Sequence, residues 1–492
     1  MTRHRAAAWA AAWVVCLVVV GAAAERSAAL FALRFRIQRN PEFMPSTLVV
    51  PASERERGLP TLSLYVPPED LYDRKTGILA NKQRHGRAWE RKGSVSYLDK
   101  GRVLYASTTG VRVHGGGSRV TAPRQGYRLY LRREYGASTV APGLLFGPPH
   151  EHPVSVLVVH NDVRTRGEGV PWALVNPLAF DLAAAVGGIT TPSRPVRFLL
   201  NGEFQGVFLL YEHFTPEHYF GAHGSRHVRL ESQEFTALYD QLHSLTPLTS
   251  DRVGDLVDLD NLVRWFIATA FCATRDPFQG PGQFRDPSRT RAQWFWVNWD
   301  MDGSFANVNE DPFVQLLLPP GVEHRGRRPD EVRPYILTRL LSEDPAFKAR
   351  FEDTWVDAMN FALTAAFVHE RLDHYRKVAV TYGVQSLDYL PRVEAFLRDR
   401  PGRLRNMAEQ YLRRPTVAVR VESERPVTLN RHDIGTAFDG YFFEGMTLSL
   451  DVPKAAGGRF EYWRVNGQPQ PRRQAAVSLT AEQDLVVQAI WR

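Results

Sequence analysis

Trp294-Phe295-Trp296-Val297-Asn298-Trp299-Asp300-Met301-Asp302-Gly303 is the most informative stretch of this 492-residue chain. Its aromatic and β-branched run predicts a strand over residues 294–299. The run ends in two carboxylates placed two residues apart. Alternate side chains of an extended chain share a face, so Asp300 and Asp302 would point the same way and repel each other. A divalent cation relieves that repulsion, because Mg²⁺ takes carboxylate oxygens together with substrate phosphates. Gly303 permits a sharp turn directly afterwards. The alternative for the same residues is an acidic strand-end turn that caps a helix.

Upstream, residues 255–274 read as a buried helix. Leu259, Leu262, Val263, Phe266, Ile267 and Ala270 recur mostly at steps of three and four. Asp276 follows it and opens a Pro/Gly-rich loop, Asp276-Pro277-Phe278-Gln279-Gly280-Pro281-Gly282. A carboxylate on a loop held by a rigid helix suits a general base; a turn-forming Asp before proline is the other reading. Downstream, residues 330–412 are mostly helical in pattern. Residues 416–492 switch to short β-like pieces with turns such as Asn466-Gly467, with Phe460 and Trp463 as core candidates.

The first half is β-like. Leu62, Leu64 and Val66 alternate and stop at Pro67-Pro68; Val95 with Tyr97, and Val111 with Val113, repeat the pattern. Gly115-Gly116-Gly117-Ser118 comes next. Its backbone N–H groups could approach phosphate, with Arg119, Arg124 and Arg128 adding charge; the other reading is a flexible hairpin. In residues 125–132, Tyr127, Leu129 and Leu131 fall on one face of a strand and Arg128, Tyr130 and Arg132 on the other. Even spacing would put Arg124 and Arg128 on one face, left open by Gly126. A helix over residues 171–186 ends at Gly187-Gly188. Strands over 196–200 and 206–211 follow, joined by a loop that opens with the hairpin signal Asn201-Gly202. Glu212 ends the second strand, as a ligand-contacting acid or a solvated strand end.

Composition excludes several classes. A formal charge of +8, spread over the chain with no long Lys/Arg run, does not make the basic stripe of a nucleic-acid groove. Two cysteines, Cys16 and Cys272, exclude a disulfide framework or a Cys-rich metal site, and Cys272 sits in an apolar helical pattern as an inert thiol. No His-x-x-x-His zinc spacing falls on a helix pattern, and no Gly-x-Ser-x-Gly elbow supports a serine hydrolase. Residues 1–24 begin with Arg3 and Arg5, continue apolar from Ala7, and end in small residues before Glu25. They are expected to be an export signal or an uncleaved membrane anchor; residues 25–59 are a linker.

Taken in order, these pieces resemble the CotH (spore-coat protein H) family of atypical protein kinases over residues 60–412. The resemblance runs through Leu71-Tyr72-Asp73, Gly77-Ile78, Trp89-Glu90-Arg91 and Val95-Ser96-Tyr97. It continues with residues 111–119, Pro123-Arg124-Gln125-Gly126-Tyr127-Arg128 and Asn201-Gly202-Glu203-Phe204-Gln205-Gly206-Val207 leading to Glu212. Asp258-Leu259-Asp260-Asn261, Asp276, Trp299-Asp300-Met301-Asp302 and Arg400-Pro401 complete it. It implies an α+β, protein-kinase-like two-lobed fold, with a β-rich small lobe, a helical large lobe and ATP between them. Residues 416–492 would be a small appended β domain. Asp276 matches the catalytic aspartate, Asp300 and Asp302 the acids for Mg²⁺ or Mn²⁺, and Arg119, Arg124, Arg128 and Glu212 are the candidate nucleotide-binding residues. The expected activity is transfer of the ATP γ-phosphate to hydroxyls of another exported or envelope protein, with no nucleic-acid partner. Two departures stand out. The family carries lysine where this chain has Arg124 and Gln125, and an asparagine after the catalytic aspartate where it has Gln279 and Gln283. The alternative is therefore an inactive pseudokinase or an envelope binding and assembly module.

Overall fold

The computed structural model describes residues 58–492 except 123, 148–152, 162–173, 214–227, 230–231, 276–282, 286–292, 318–331, 383–388 and 454–455. The expected signal or anchor, most of the linker, and Asp276 lie outside the described residues. Those within 1–163 and 192–218 form one compact unit; those within 164–191 and 219–492 form a second. The fold is mixed α+β, with strands dominating the first unit.

Seven strands build the first unit: β1 (Thr61–Tyr65), β2 (Arg91–Asp99), β3 (Arg102–His114), β4 (Gly126–Tyr130), β5 (Val156–His160), β6 (Ser193–Leu200) and β7 (Glu203–Glu212). They close into a barrel in the order β1-β2-β3-β4-β5-β7-β6. Only the β1–β6 pairing is parallel, and it seals the ring. Closure leaves no edge strand to template aggregation. Alternation selects the filling: Leu62, Leu64, Tyr97, Val111, Tyr127, Leu129, Val159, Phe198 and Leu210 belong to one buried cluster. The β-rich character expected of this part holds, and the strands close into a barrel that the sequence pattern did not indicate. Period-two alternation marks strands, whereas closure depends on the long-range β1–β6 pairing.

The hairpin at Asn201-Gly202 helps that closure. Both residues have positive φ, 51° and 83°, the two-residue turn that matches strand twist. The Asn201 amide reaches β1's exit, accepting from Val66 N and donating to Val66 O, each at 2.8 Å.

The second unit contains α1 (Val175–Ala185), α2 (Leu259–Cys272), α3 (Val332–Glu343), α4 (Pro345–Asp357), α5 (Ala365–Tyr382) and α6 (Leu390–Leu412). A π-helical turn, Ala358–Ala362, continues α4. Three short strands, β8 (Val228–Arg229), β9 (Gln283–Arg285) and β10 (Phe295–Trp296), form a sheet in the order β10-β9-β8. The strand expected over residues 294–299 is thus only two residues long, flanked by single bridges at Trp294 and Val297. Its aromatic side chains still enter the core.

Residues 416–492 form two sheets. β11 (Thr416–Ser423), β14 (Ala437–Phe443), β16 (Phe460–Val465), β17 (Gln468–Pro469) and β19 (Leu485–Trp491) make the first. β12 (Thr428–Leu429), β13 (His432–Asp433), β15 (Thr447–Asp451) and β18 (Ala476–Thr480) make the second. Trp463 is fully buried and its indole N–H donates to Ala475 O at 2.9 Å; Phe460 is only partly covered. No helix among the described residues is long and apolar enough to cross a membrane.

Tyr127 tests the barrel. It is 2% exposed, with its ring 5.8 Å from that of Phe198. Tyr127→Ala should lower stability by about 3–5 kcal/mol, as truncation of a large core aromatic does. Urea unfolding followed by circular dichroism measures it, and a loss under about 1 kcal/mol would contradict the placement.

Candidate functional site

The acidic residues of the second unit are positioned from α2 outward. Asp258 caps α2, accepting from Asn261 N at 2.9 Å. The buried Asn261 amide imitates a strand neighbour for β10: it donates to Trp296 O at 2.8 Å and accepts from Trp296 N at 2.6 Å. One four-residue motif thus starts the helix and fixes the strand that leads to the acids. Gly187 (φ 74°) and Gly188 let the exit of α1 approach the same strand. A Cβ on Gly188 would lie 2.6 Å from Asn298 Oδ1. Asn298 N donates to Ile189 O at 2.7 Å.

Asp300 is not extended. It adopts the left-handed conformation (φ 55°, ψ 48°), and Met301–Gly303 form a single 3₁₀ turn after it. The expected shared strand face therefore does not exist; the acids stand on a tight turn. Nor does the Asp300 side chain cap that turn, so the capping alternative is corrected too. A non-glycine left-handed residue costs free energy and is tolerated where its surroundings hold it. Here Met301 and Trp299 are buried on either side. Asp300 and Asp302 remain partly exposed.

The end of α2 is bonded to this turn. Phe305 N donates to Cys272 O at 2.8 Å, Arg275 N to Gly303 O at 3.3 Å, and the Thr274 and Ser304 hydroxyls lie 2.9 Å apart. Asp276, the next residue after Arg275, lies outside the described residues. Cys272 is buried and its thiol is pushed well up by desolvation, so it is inert as expected. A further residue governs the arrangement: Arg400, fully buried in α6. Its guanidinium donates to Ala270 O at the end of α2, and to Val308 O and Glu310 O, both at 2.7 Å, beyond the acidic turn. Burial pulls its pKa down to about 10, so it stays charged at neutral pH. The legible signal was an arginine at a core position of the pattern Val393, Phe396, Leu397, Arg400, Leu404.

In the barrel unit the basic residues divide. Arg84, Arg112, Arg119 and Arg128 line a pocket of about 110 Å³ with Trp89 and Tyr130. Arg119 bonds the carbonyls of Gly115, Lys82 and Arg84. Gly115 (φ 107°) turns the chain into the short helix Ser118–Thr121, so the glycine run is no flexible hairpin. β4 begins only at Gly126, so Arg124 lies outside it and donates to Gln205 O instead. Arg124 and Arg128 are therefore not brought together. Gly126 does not open the face either, since a Cβ there would lie 3.0 Å from Val159 O. Glu212 is buried and pairs with Leu157, and that register assigns it to the wall face of Leu157 and Leu210, opposite Arg128.

Two residues here went unassigned in the sequence. Glu90 is a buried carboxylate bonded to Arg112 at 2.6 Å, Arg132 at 3.3 Å and the Tyr135 hydroxyl at 2.9 Å. Gly110 makes room for it, because a Cβ there would lie 2.5 Å from Glu90 Oε1. His114 contacts Arg128 through Nδ1 at 3.2 Å and Tyr211 Oη through Nε2 at 3.3 Å. Arginine can only donate, so Nδ1 accepts and Nε2 carries the proton. Burial, then His160 and Arg128, push the His114 pKa well below 6.5.

Two outcomes follow from these contacts. Arg400→Met should destabilise by about 3 kcal/mol, since it removes a fully buried charged donor that three carbonyls share; a melting temperature equal to wild type would refute the clamp. For His114, the folded state resists protonation while the unfolded chain titrates near 6.5. Its contribution is full above that pH and falls as pH drops below it. His114→Gln should accordingly lose less stability than wild type between pH 7 and pH 5, read from paired thermal melts. Parallel pH profiles would refute this.

No curated protein matches the chain. Residues 216–413, which include the acidic turn and the Arg400 clamp, match the family model described as CotH kinase protein.

Proposed function

We propose that the chain is an exported phosphotransferase that moves the γ-phosphoryl group of ATP to hydroxyl groups of a protein substrate in the cell envelope. The observation that carries this reading is the acidic turn at Asp300 and Asp302, hydrogen-bonded through its neighbours to the segment that leads into Asp276. Phosphoryl transfer asks the protein mainly to position groups and to offset charge. Asp300 and Asp302 offer carboxylate oxygens from one tight turn, the hard donor type that suits Mg²⁺ or Mn²⁺. Mg²⁺ commonly takes one or two carboxylates and completes its shell with phosphate and water.

In this mechanism Asp300 and Asp302 would hold the metal, which would offset charge on the phosphates. Asp276 accepts the proton of the attacking hydroxyl. Within the barrel unit, Arg128 and Arg84 line one pocket and give it positive charge, whereas Arg119 and Arg124 are engaged with backbone carbonyls. The apolar, positively begun residues 1–24 support export.

One observation favours a second reading, an inactive pseudokinase or binding module. Where the family carries lysine, Arg124 and Gln125 both bond backbone carbonyls, of Gln205 and Ala122. Purified protein should transfer radioactive phosphate from ATP with Mg²⁺ or Mn²⁺, and Asp300→Ala should abolish labelling without changing the circular dichroism spectrum. Equal labelling by both proteins sinks the proposal. ATP with metal should also raise the melting temperature of wild type. A shift without labelling identifies a pseudokinase, and no shift at millimolar ATP identifies a binding module.

A further inference from the structure

A cleft of about 690 Å³ in the second unit shares no lining residue with the acidic turn. It is lined by α4, its π-helical extension, the exit of α1 and the second C-terminal sheet. Its size falls in the range of small-molecule sites, about 300–1,000 Å³.

Three independent features meet there. The first is charge. Arg264, Arg431 and Asp353 line the cleft, all exposed, and none makes a side-chain hydrogen bond or ion pair with a described residue. The other charged wall residue, Asp357, is held by His432 at 2.5 Å. Two arginines face two aspartates, so the cleft carries both signs and little net charge. Burial and the nearby Asp357 raise the Asp353 pKa, with Arg414 opposing.

The second feature is the turn that presents Arg431. Asn430-Arg431 is the two-residue loop between β12 and β13, and both residues have positive φ, 48° and 72°. Such a turn favours glycine at its second position, so a side chain there is strained. Asn430 fixes the turn against β15: its backbone N donates to Ser449 O at 2.8 Å and its side chain accepts from Ser449 N at 2.9 Å. The third feature is the π-helical turn Ala358–Ala362 in the opposite wall. Such turns give up regular α-helical hydrogen bonding and occur often at functional sites.

We propose that this cleft binds a neutral oligosaccharide. Carboxylates can only accept and guanidinium groups can only donate, while Thr447 and Ser449 do both. A saccharide hydroxyl donates and accepts at once, so a polyol meets both kinds of wall. An anion would face the aspartates and a cation the arginines. Asp353 accepts from sugar hydroxyls, and Arg264 and Arg431 donate to them. Met446, partly exposed, supplies apolar surface for the sugar's C–H groups. The Phe361 ring already stacks on His432 at 4.0 Å and holds the wall.

The test is isothermal titration of the full chain with maltotriose, cellotriose and tri-N-acetylchitotriose, with alanyl-alanine as the zwitterionic control. At least one trisaccharide should bind in the millimolar range or tighter. Asp353→Asn should weaken it about tenfold or more with little change in melting temperature. Arg431→Gly should weaken it similarly while raising the melting temperature, because glycine relieves the turn. Only a binding role predicts that opposition. Asp300→Ala should bind the sugar as wild type does, so this proposal stands or falls apart from the phosphotransfer reading. It is overturned if no trisaccharide binds, if only the dipeptide binds, if both cleft variants bind as wild type, or if Arg431→Gly lowers the melting temperature.

Discussion

One buried cation organises the acidic part of the second unit. The last carbonyls of a helix have no intrahelical donor, and they form the negative end of its dipole. Arg400 brings a positive fork to that end of α2, bonding Ala270 O, and extends the same fork to Val308 O and Glu310 O. The desolvation cost is visible in its lowered pKa. What is gained is a three-way junction: the exit of α2, the segment after the acidic turn, and α6. Asp300 can hold a left-handed conformation because both flanks of its turn are tied down, by Arg400 on one side and by Asn261 and Ile189 on the other. The turn's chemistry therefore rests on residues that carry no chemistry themselves.

The barrel uses the opposite charge in the same way. Glu90 is an anion in a nearly closed environment, and a buried carboxylate is tolerable only when its oxygens are met by donors. Arg112, Arg132 and Tyr135 meet them, and the centre of the Tyr130 ring is 4.3 Å from the Arg112 guanidinium and 4.8 Å from that of Arg132. Side chains on the outer face of β3 and at the exit of β4 thus gather around one acid. Arg128 and His114, next to it, form a neutral-imidazole contact that places the guanidinium without cancelling its charge.

Local pattern alone located most elements. Period-two alternation picked out β1 through β4 and the facing of Tyr127 and Leu129, because which side of a strand faces the core is a property of parity. Asn201-Gly202 marked its turn because few residues adopt positive φ. Failures came where distant atoms decide. Arg124 was grouped with Arg128 by spacing, but β4 starts after it and the Gln205 carbonyl claims its side chain. The strand into Asp300 was read as six residues, yet its ladder spans only two, with isolated bridges at Trp294 and Val297.

The sequence by itself determined the mixed α+β composition, the pairing of aromatic strand and acidic turn, and the family likeness carried by motifs in order. These depend on residue type and short spacing, which the chain holds before it folds. Tertiary structure alone decided that the first strands close into a barrel, that Arg128 and Glu212 fall on opposite sides of its wall, that Asp300 is left-handed, and that Arg264, Arg431 and Asp353 share a cleft. Each of these joins residues tens to hundreds of positions apart, and such contacts are selected by packing and hydrogen-bond satisfaction, which local pattern does not encode.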